Sequence, residues 1–135
     1  MRKPVRQLAV VACMDARLNP YALLGLRDGD AHVIRNAGGL VTDDTIRSLA
    51  ISQRLLGTRE IALIHHTDCG MRSVDDAALR RELEAETGVR PPWANEAEDV
   101  QRSLARLRES PFLPHRDAVR GYLYDVDTGQ LTHIT

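Results

Sequence analysis

Apolar residues in this chain come in short unbroken runs. Leu8-Ala9-Val10-Val11-Ala12 and Ile61-Ala62-Leu63-Ile64 show no alternation of polar and apolar positions, which suits strands covered on both faces at the centre of a parallel sheet. Ala31-His32-Val33-Ile34-Arg35 reads as the second strand, residues 60–65 as the third and Val119 to Val126 as the fourth. Asp127-Thr128-Gly129 is then turn chemistry, and Gln130 to Ile134 returns as a hairpin partner, hence an antiparallel edge strand.

Between the strands the period changes. Asn19 caps a short helix through Leu24, with Pro20 at the first helical position, where a missing N–H is harmless. Thr42 caps the next helix, whose first turn carries Asp43 and Asp44 at the positive end of the helix dipole, and Gly57 ends it. Its apolar face holds Ile46, Leu49, Ala50 and Leu56, interrupted by Gln53. Residues 75–86 are helix-prone until Gly88 and Pro91-Pro92 break them, and Trp93 is expected to anchor the loop. A further helix is expected from about Asn95 to Glu109, with Ala97, Val100, Leu104 and Leu107 at helical spacing, ended by Pro111 and Pro114. Strands alternating with helices predict a three-layer α/β domain. Its central sheet has about four mostly parallel strands and an antiparallel edge strand, flanked by helices. The first and third strands should be central neighbours, with the second outside the first.

Composition narrows the class. With 43% hydrophobic residues over 135 positions, one core and one domain spanning residues 1–135 are expected. Lys and Arg (18) nearly balance Asp and Glu (19), unlike the basic excess of a nucleic-acid binder. The apolar run after the basic N-terminus is too short for a signal peptide, and no run approaches the roughly 20 residues of a membrane span. Two cysteines are too few for the disulfide framework common in small secreted domains, so a reduced, cytoplasmic setting is expected.

The chemistry sits where two runs stop. The first ends in Cys13-Met14-Asp15-Ala16-Arg17 and the third in His65-His66-Thr67-Asp68-Cys69-Gly70-Met71. In an open parallel sheet the carboxyl ends of neighbouring strands share one edge, and ligands collect there. Cys13, His66 and Cys69 then make a Cys2His set, the ligand count of a zinc site with a fourth position open to water. Buried cysteines as plain apolar residues are the alternative, but packing alone gives no reason for Asp15 and Arg17 beside Cys13. Arg17 can grip one carboxylate in a bidentate pair, and Asp15 is the nearest. His65 points away from His66 along a strand and reads as a packed histidine. Asp68 is either a turn residue or an acceptor near the metal. Arg35 reads as one half of a salt bridge. Gly38, Gly39 and Gly70 are expected to let backbone approach the site, so they are candidate substrate-binding positions.

Cys13-x-Asp15-x-Arg17 followed by His66-x-x-Cys69-Gly70 resembles the zinc signature of the beta-class carbonic anhydrases, in particular the short bacterial members. The segment Arg35-Asn36-Ala37-Gly38-Gly39, the helix carrying Ser48 and Leu49, and the closing Val119 to Val126 with its Asp127-Thr128-Gly129 turn are also similar to that family. The resemblance spans nearly the whole chain and is weakest between Arg72 and Ser110. It implies one Zn2+ per subunit and the reversible hydration of carbon dioxide to bicarbonate by zinc-bound hydroxide. It also implies that the Asp15–Arg17 dyad orients that hydroxide, and that Asp15 could swing onto zinc as an off switch if the Arg17 contact breaks. It further implies a homodimer or higher homo-oligomer in which one subunit lines the other's pocket. Two other readings stay open: carbon disulfide or carbonyl sulfide hydrolysis on the same scaffold, and a non-catalytic zinc domain closed by Asp15. Relative to the family, the N-terminal arm is short, the upstream glutamine contact is not identifiable, and the stretch after Met71 is brief. Ile51 and Leu55 fall off the core stripe of their helix and would face either a second subunit or the segment 75–86.

Overall fold

The computed structural model describes residues 2–71, 74–93 and 99–134. The chain runs β1 (Leu8–Cys13), α1 (Pro20–Leu24), β2 (Ala31–Asn36), α2 (Asp43–Leu56), β3 (Glu60–His66), α3 (Asp76–Thr87), α4 (Val100–Glu109), β4 (Ala118–Tyr124) and β5 (Leu131–His133). The five strands form one sheet in the order β2-β1-β3-β4-β5. β1 pairs in parallel with β2 and β3, β3 with β4, and only β5 is antiparallel, as the sequence led us to expect.

Unbroken apolarity in β1 and β3 has its cause in burial on both faces. Ala9, Val11, Ile61 and Leu63 pack with Leu49 of α2 and with Leu104 and Leu107 of α4. On the opposite face Val10, Ala12, Ala62 and Ile64 pack with Leu18 and Leu26 and with Leu23 and Leu24 of α1. Fully buried leucines such as Leu49, Leu63, Leu104 and Leu107 each stabilise the fold by about 1.5–3 kcal/mol. Gly121 lets α4 lie close on β4, since a Cβ there would come within 2.8 Å of Leu104 Cδ1.

The helix termini follow local rules. Asn19 Oδ1 accepts from the N–H groups of Tyr21 and Ala22 at the start of α1, and Gly25 closes it at φ 63°. Thr42 Oγ1 accepts from Thr45 N and Gly57 ends α2 at φ 76°. Gln53 is buried within α2, donating Nε2 to His115 O at 2.8 Å and accepting His115 N at 3.0 Å, so it ties down the loop beyond α4.

Three expectations are corrected. Helix α4 starts at Val100 rather than near Asn95, because Asp99 is extended and its carboxylate caps Arg102 N; Asn95 and Ala97 lie outside the described residues. The Trp93 side chain, half exposed, is not what anchors its loop; the tie there is its carbonyl, held by Arg80 Nη1. Helix α3 has no buried residue, and Leu55 stays 61% exposed, so α3 does not cover it.

Candidate metal centre

Cys13 is the last residue of β1, His66 the last of β3, and Cys69 follows three positions on. The connection from β1 goes to β2 on one side while β3 lies on the other, so these ends flank the point where the chain reverses across the sheet. There Cys13, His66 and Cys69 offer donor atoms all within 4.8 Å of one another. Both thiols are free, and Cys13 Sγ lies 3.7 Å from Cys69 Sγ. That is far beyond a disulfide bond of about 2.0 Å. It matches the edge of a tetrahedron of sulfurs about 2.3 Å from a central zinc, which is about 3.8 Å. The donor set fits zinc.

Buried His66 is oriented by its other nitrogen. Nδ1 lies 2.7 Å from Thr67 O; a carbonyl only accepts, so Nδ1 carries the proton and Nε2 is the donor atom for a metal. Nε2 faces the site, 3.9 Å from Asp15 Oδ2. Burial pushes the Cys13 thiol pKa up, opposed by hydrogen bonds from the backbone of Asp15 and Gly38, while the neighbouring Cys69 thiol raises it further. Met71 Sδ, 3.7 Å from Cys13 Sγ, adds a soft, polarisable wall.

Asp15 lies outside the three-donor group and is gripped by Arg17. Arg17 Nε donates to Oδ1 at 3.0 Å, Nη2 to Oδ2 at 2.8 Å, and the Arg17 backbone N–H to Oδ1 at 2.8 Å. The side-chain bonds first, then the backbone bond, hold the Asp15 carboxyl far below the usual carboxylate range. Arg17 is raised in turn by its bonds to Asp15 and then to Asp68.

The surrounding backbone is clamped by side chains from other elements. Among the described residues Arg35 pairs with no carboxylate, contrary to expectation. Its Nε donates to Cys13 O at 3.0 Å, and Nη2 to Asp15 O at 2.9 Å and Leu18 O at 2.7 Å, so one guanidinium shapes the turn that carries Asp15 and Arg17. Asn36 pins the glycine loop, donating Nδ2 to Leu40 O and accepting Leu40 N. His65 is buried on the face opposite His66, with Nε2 3.1 Å from Gly39 O. Gly38 and Gly39 take φ values of 91° and 64°. A Cβ at Gly39 would sit 2.8 Å from Cys13 N and 3.0 Å from Ala12 C, so glycine is required for that loop to lie against the end of β1. A Cβ at Gly70 meets nothing within 4 Å among the described residues, so steric approach by them does not explain glycine there.

Sequence reasoning missed Met71, the carbonyl clamp of Arg35 and the second partner of Arg17. The spacing Cys69-Gly70-Met71 was a usable signal for the first. Nothing local announced the other two.

A profile of the carbonic anhydrase family matches residues 8–111. The beta-carbonic anhydrase 1 of Mycobacterium tuberculosis is 55% identical, over 98% of this chain and 84% of its own length. A carbon disulfide hydrolase of Acidithiobacillus thiooxidans is 37% identical, over 93% of this chain and 76% of its own. Among solved structures, a carbonic anhydrase from Streptococcus mutans superposes with a TM-score of 0.85 at 42% identity, covering 98% of this chain and 84% of that one.

Proposed function

This chain belongs to the carbonic anhydrase family, in its beta class, and from that premise we propose that the cluster at the ends of β1 and β3 is where it hydrates carbon dioxide to bicarbonate. One observation carries the reading: three zinc-type donors converge within 4.8 Å, beside a carboxylate that Arg17 holds out of the donor group. Cys13, His66 and Cys69 would hold zinc, which when bound supplies a Lewis acid that lowers the pKa of a coordinated water toward about 7.

The remaining steps belong to the chain's own residues. Asp15, ionised and acceptor-only, is placed 3.9 Å from His66 Nε2 to take a hydrogen bond from the reacting water and so fix its direction of attack. Arg17 keeps both carboxylate oxygens engaged, which favours Asp15 as acceptor over Asp15 as ligand. Arg35 holds the carbonyl of Asp15 itself together with those of Cys13 and Leu18, and thereby fixes the position of its main chain. Thr67 O sets the tautomer that leaves His66 Nε2 to the metal side. Gly38 and Gly39 bring backbone against Cys13, where a linear substrate would lie.

The higher identity to a carbonic anhydrase than to the carbon disulfide hydrolase, 55% against 37%, favours carbon dioxide as the substrate. Zinc content by elemental analysis, alongside stopped-flow hydration, tests the reading. Asp15→Asn should keep zinc and lose most turnover; loss of zinc from that variant would make Asp15 a ligand.

The working unit we propose is at least a dimer in the cytoplasm. Leu55 and Phe112 are 61% and 62% exposed. A groove of about 710 Å³ with an apolar floor of Ile46 and Ala50 runs between α2 and α4. Both leave apolar surface that a second subunit would cover. Paired free thiols suit a reducing compartment, and no described helix is long and apolar enough to cross a membrane. Sedimentation of the zinc-loaded protein at low micromolar concentration checks the dimer; a fully active monomer refutes it.

A further inference from the structure

Arg17 is held from two sides. Beyond its grip on Asp15, Nη1 donates to Asp68 Oδ2 at 3.3 Å and Nη2 donates to Asp68 O at 3.1 Å. Asp15 rides on the turn after β1, and Asp68 on the turn after β3, between His66 and Cys69. One guanidinium therefore joins the two loops that carry the donor atoms. Asp68 adopts φ 52°, a left-handed conformation uncommon for a residue other than glycine, though asparagine and aspartate enter it most readily. In that conformation its carbonyl and its carboxylate both reach Arg17. Its side chain is 81% exposed and stands outside the donor group, so neither packing nor metal binding accounts for a carboxylate there.

We propose that Asp68 is a positioning residue for the hydration reaction, holding the far edge of Arg17 so that the guanidinium stays against Asp15 and the Asp15 carboxylate does not turn onto the metal. The proposal rests on the reading of Asp15 as acceptor and not as ligand. Arg17 is half exposed, and a long side chain with one partner keeps several rotamers in competition with water. A second anion on the opposite loop removes much of that freedom. Asp15 Oδ2 is already within 3.9 Å of His66 Nε2, so a small side-chain rotation would bring it among the donors. Loss of an exposed ion pair shifts such a balance about two- to fivefold.

The test uses protein loaded with cobalt(II), titrated with thiocyanate and followed by visible absorption, with cobalt content measured for each variant. A site that Asp15 has entered has less room for the exogenous anion. Asp68→Gly keeps the left-handed turn without the carboxylate, and Asp68→Asn keeps the turn with a neutral acceptor. The half-saturating thiocyanate concentration should rise in Asp68→Gly, with the shift in that balance setting an upper bound of about fivefold, and rise less in Asp68→Asn. In an Asp15→Asn background, Asp68→Gly should produce no rise. The sign is diagnostic, because simple removal of a nearby negative charge would tighten anion binding. An unchanged or lowered concentration in Asp68→Gly overturns the proposal, as does a rise that persists with Asp15→Asn. Loss of cobalt from Asp15→Asn alone would overturn the reading of Asp15 itself, and the proposal with it.

Discussion

The loops at the ends of β1 and β3 and the helix α3 are built by opposite means. At these ends Cys13, Leu18, His65 and His66 are buried, and backbone carbonyls are taken by side chains distant in sequence: three by Arg35 of β2 and one, across the two loops, by Arg17. In α3 no residue is buried. Its support is mostly local, with Asp75 capping Ala78 N, Gly88 closing the C-terminus at φ 71° and Thr87 Oγ1 bonded to Leu83 O, beside the bond from Arg80 to Trp93 O. Local signals suffice to form a helix, but they fix nothing relative to anything else. Placement of a functional atom requires partners distant in sequence.

The largest effect that could break this contrast is at the donors. Cys69→Ala should remove zinc and hydration activity together while leaving α3 helical. Full zinc retained after dialysis would mean that the cluster does not hold the metal.

A matched pair of glycines sharpens the contrast. Gly39 and Gly88 both have positive φ, but a Cβ at Gly39 strikes Cys13 N and Ala12 C, whereas one at Gly88 meets nothing within 4 Å. Gly39→Ala carries both the backbone cost and overpacking against a strand end, and should destabilise by about 3 kcal/mol or more. Gly88→Ala carries the left-handed cost alone, partly offset in the unfolded state, about 1 kcal/mol. Denaturant midpoints read both. Equal losses would mean that the site loop is no more tightly determined than an exposed helix end.

The smallest effect concerns His32, at the amino end of β2, whose Nδ1 lies 2.6 Å from Ser52 Oγ. Burial lowers its pKa below the ordinary 6.5. The unfolded chain therefore takes up a proton there before the folded one does. Stability from this residue is intact above pH 6.5 and falls as the pH drops through that value toward the folded pKa. The fall in Tm between pH 7.5 and pH 5 should shrink in His32→Gln; an unchanged difference would remove His32 from the acid sensitivity of the fold.

What could be read beforehand divides along the same line. Continuous apolar runs, Asn19-Pro20, Thr42 with Asp43, and the spacing His66-x-x-Cys69 are all local, and from them the order β2-β1-β3, the antiparallel edge strand and the three candidate donors were legible. Arg35 was misread as a salt-bridge residue because an arginine's partner depends on which backbone the fold lays against it. The start of α4 was misplaced because Ala97 continues the helical spacing of Val100 and Leu104, while Asp99 caps in three dimensions at Arg102 N. Gly39 carried a readable signal of close approach, but the same signal at Gly70 had no steric counterpart among the described residues.

Parallel pairing of β1 with β3 also governs when the metal can be taken up. Cys13 and Cys69 stand 56 positions apart, and no hairpin can join parallel strands. The crossover through β2 and α2 must close first, so the entropic cost of a long loop precedes any contact between the donors. Until then the nascent chain offers only the local pair His66 and Cys69. Tight zinc retention is therefore expected late in refolding, at a rate that follows the completion of the central strand pair.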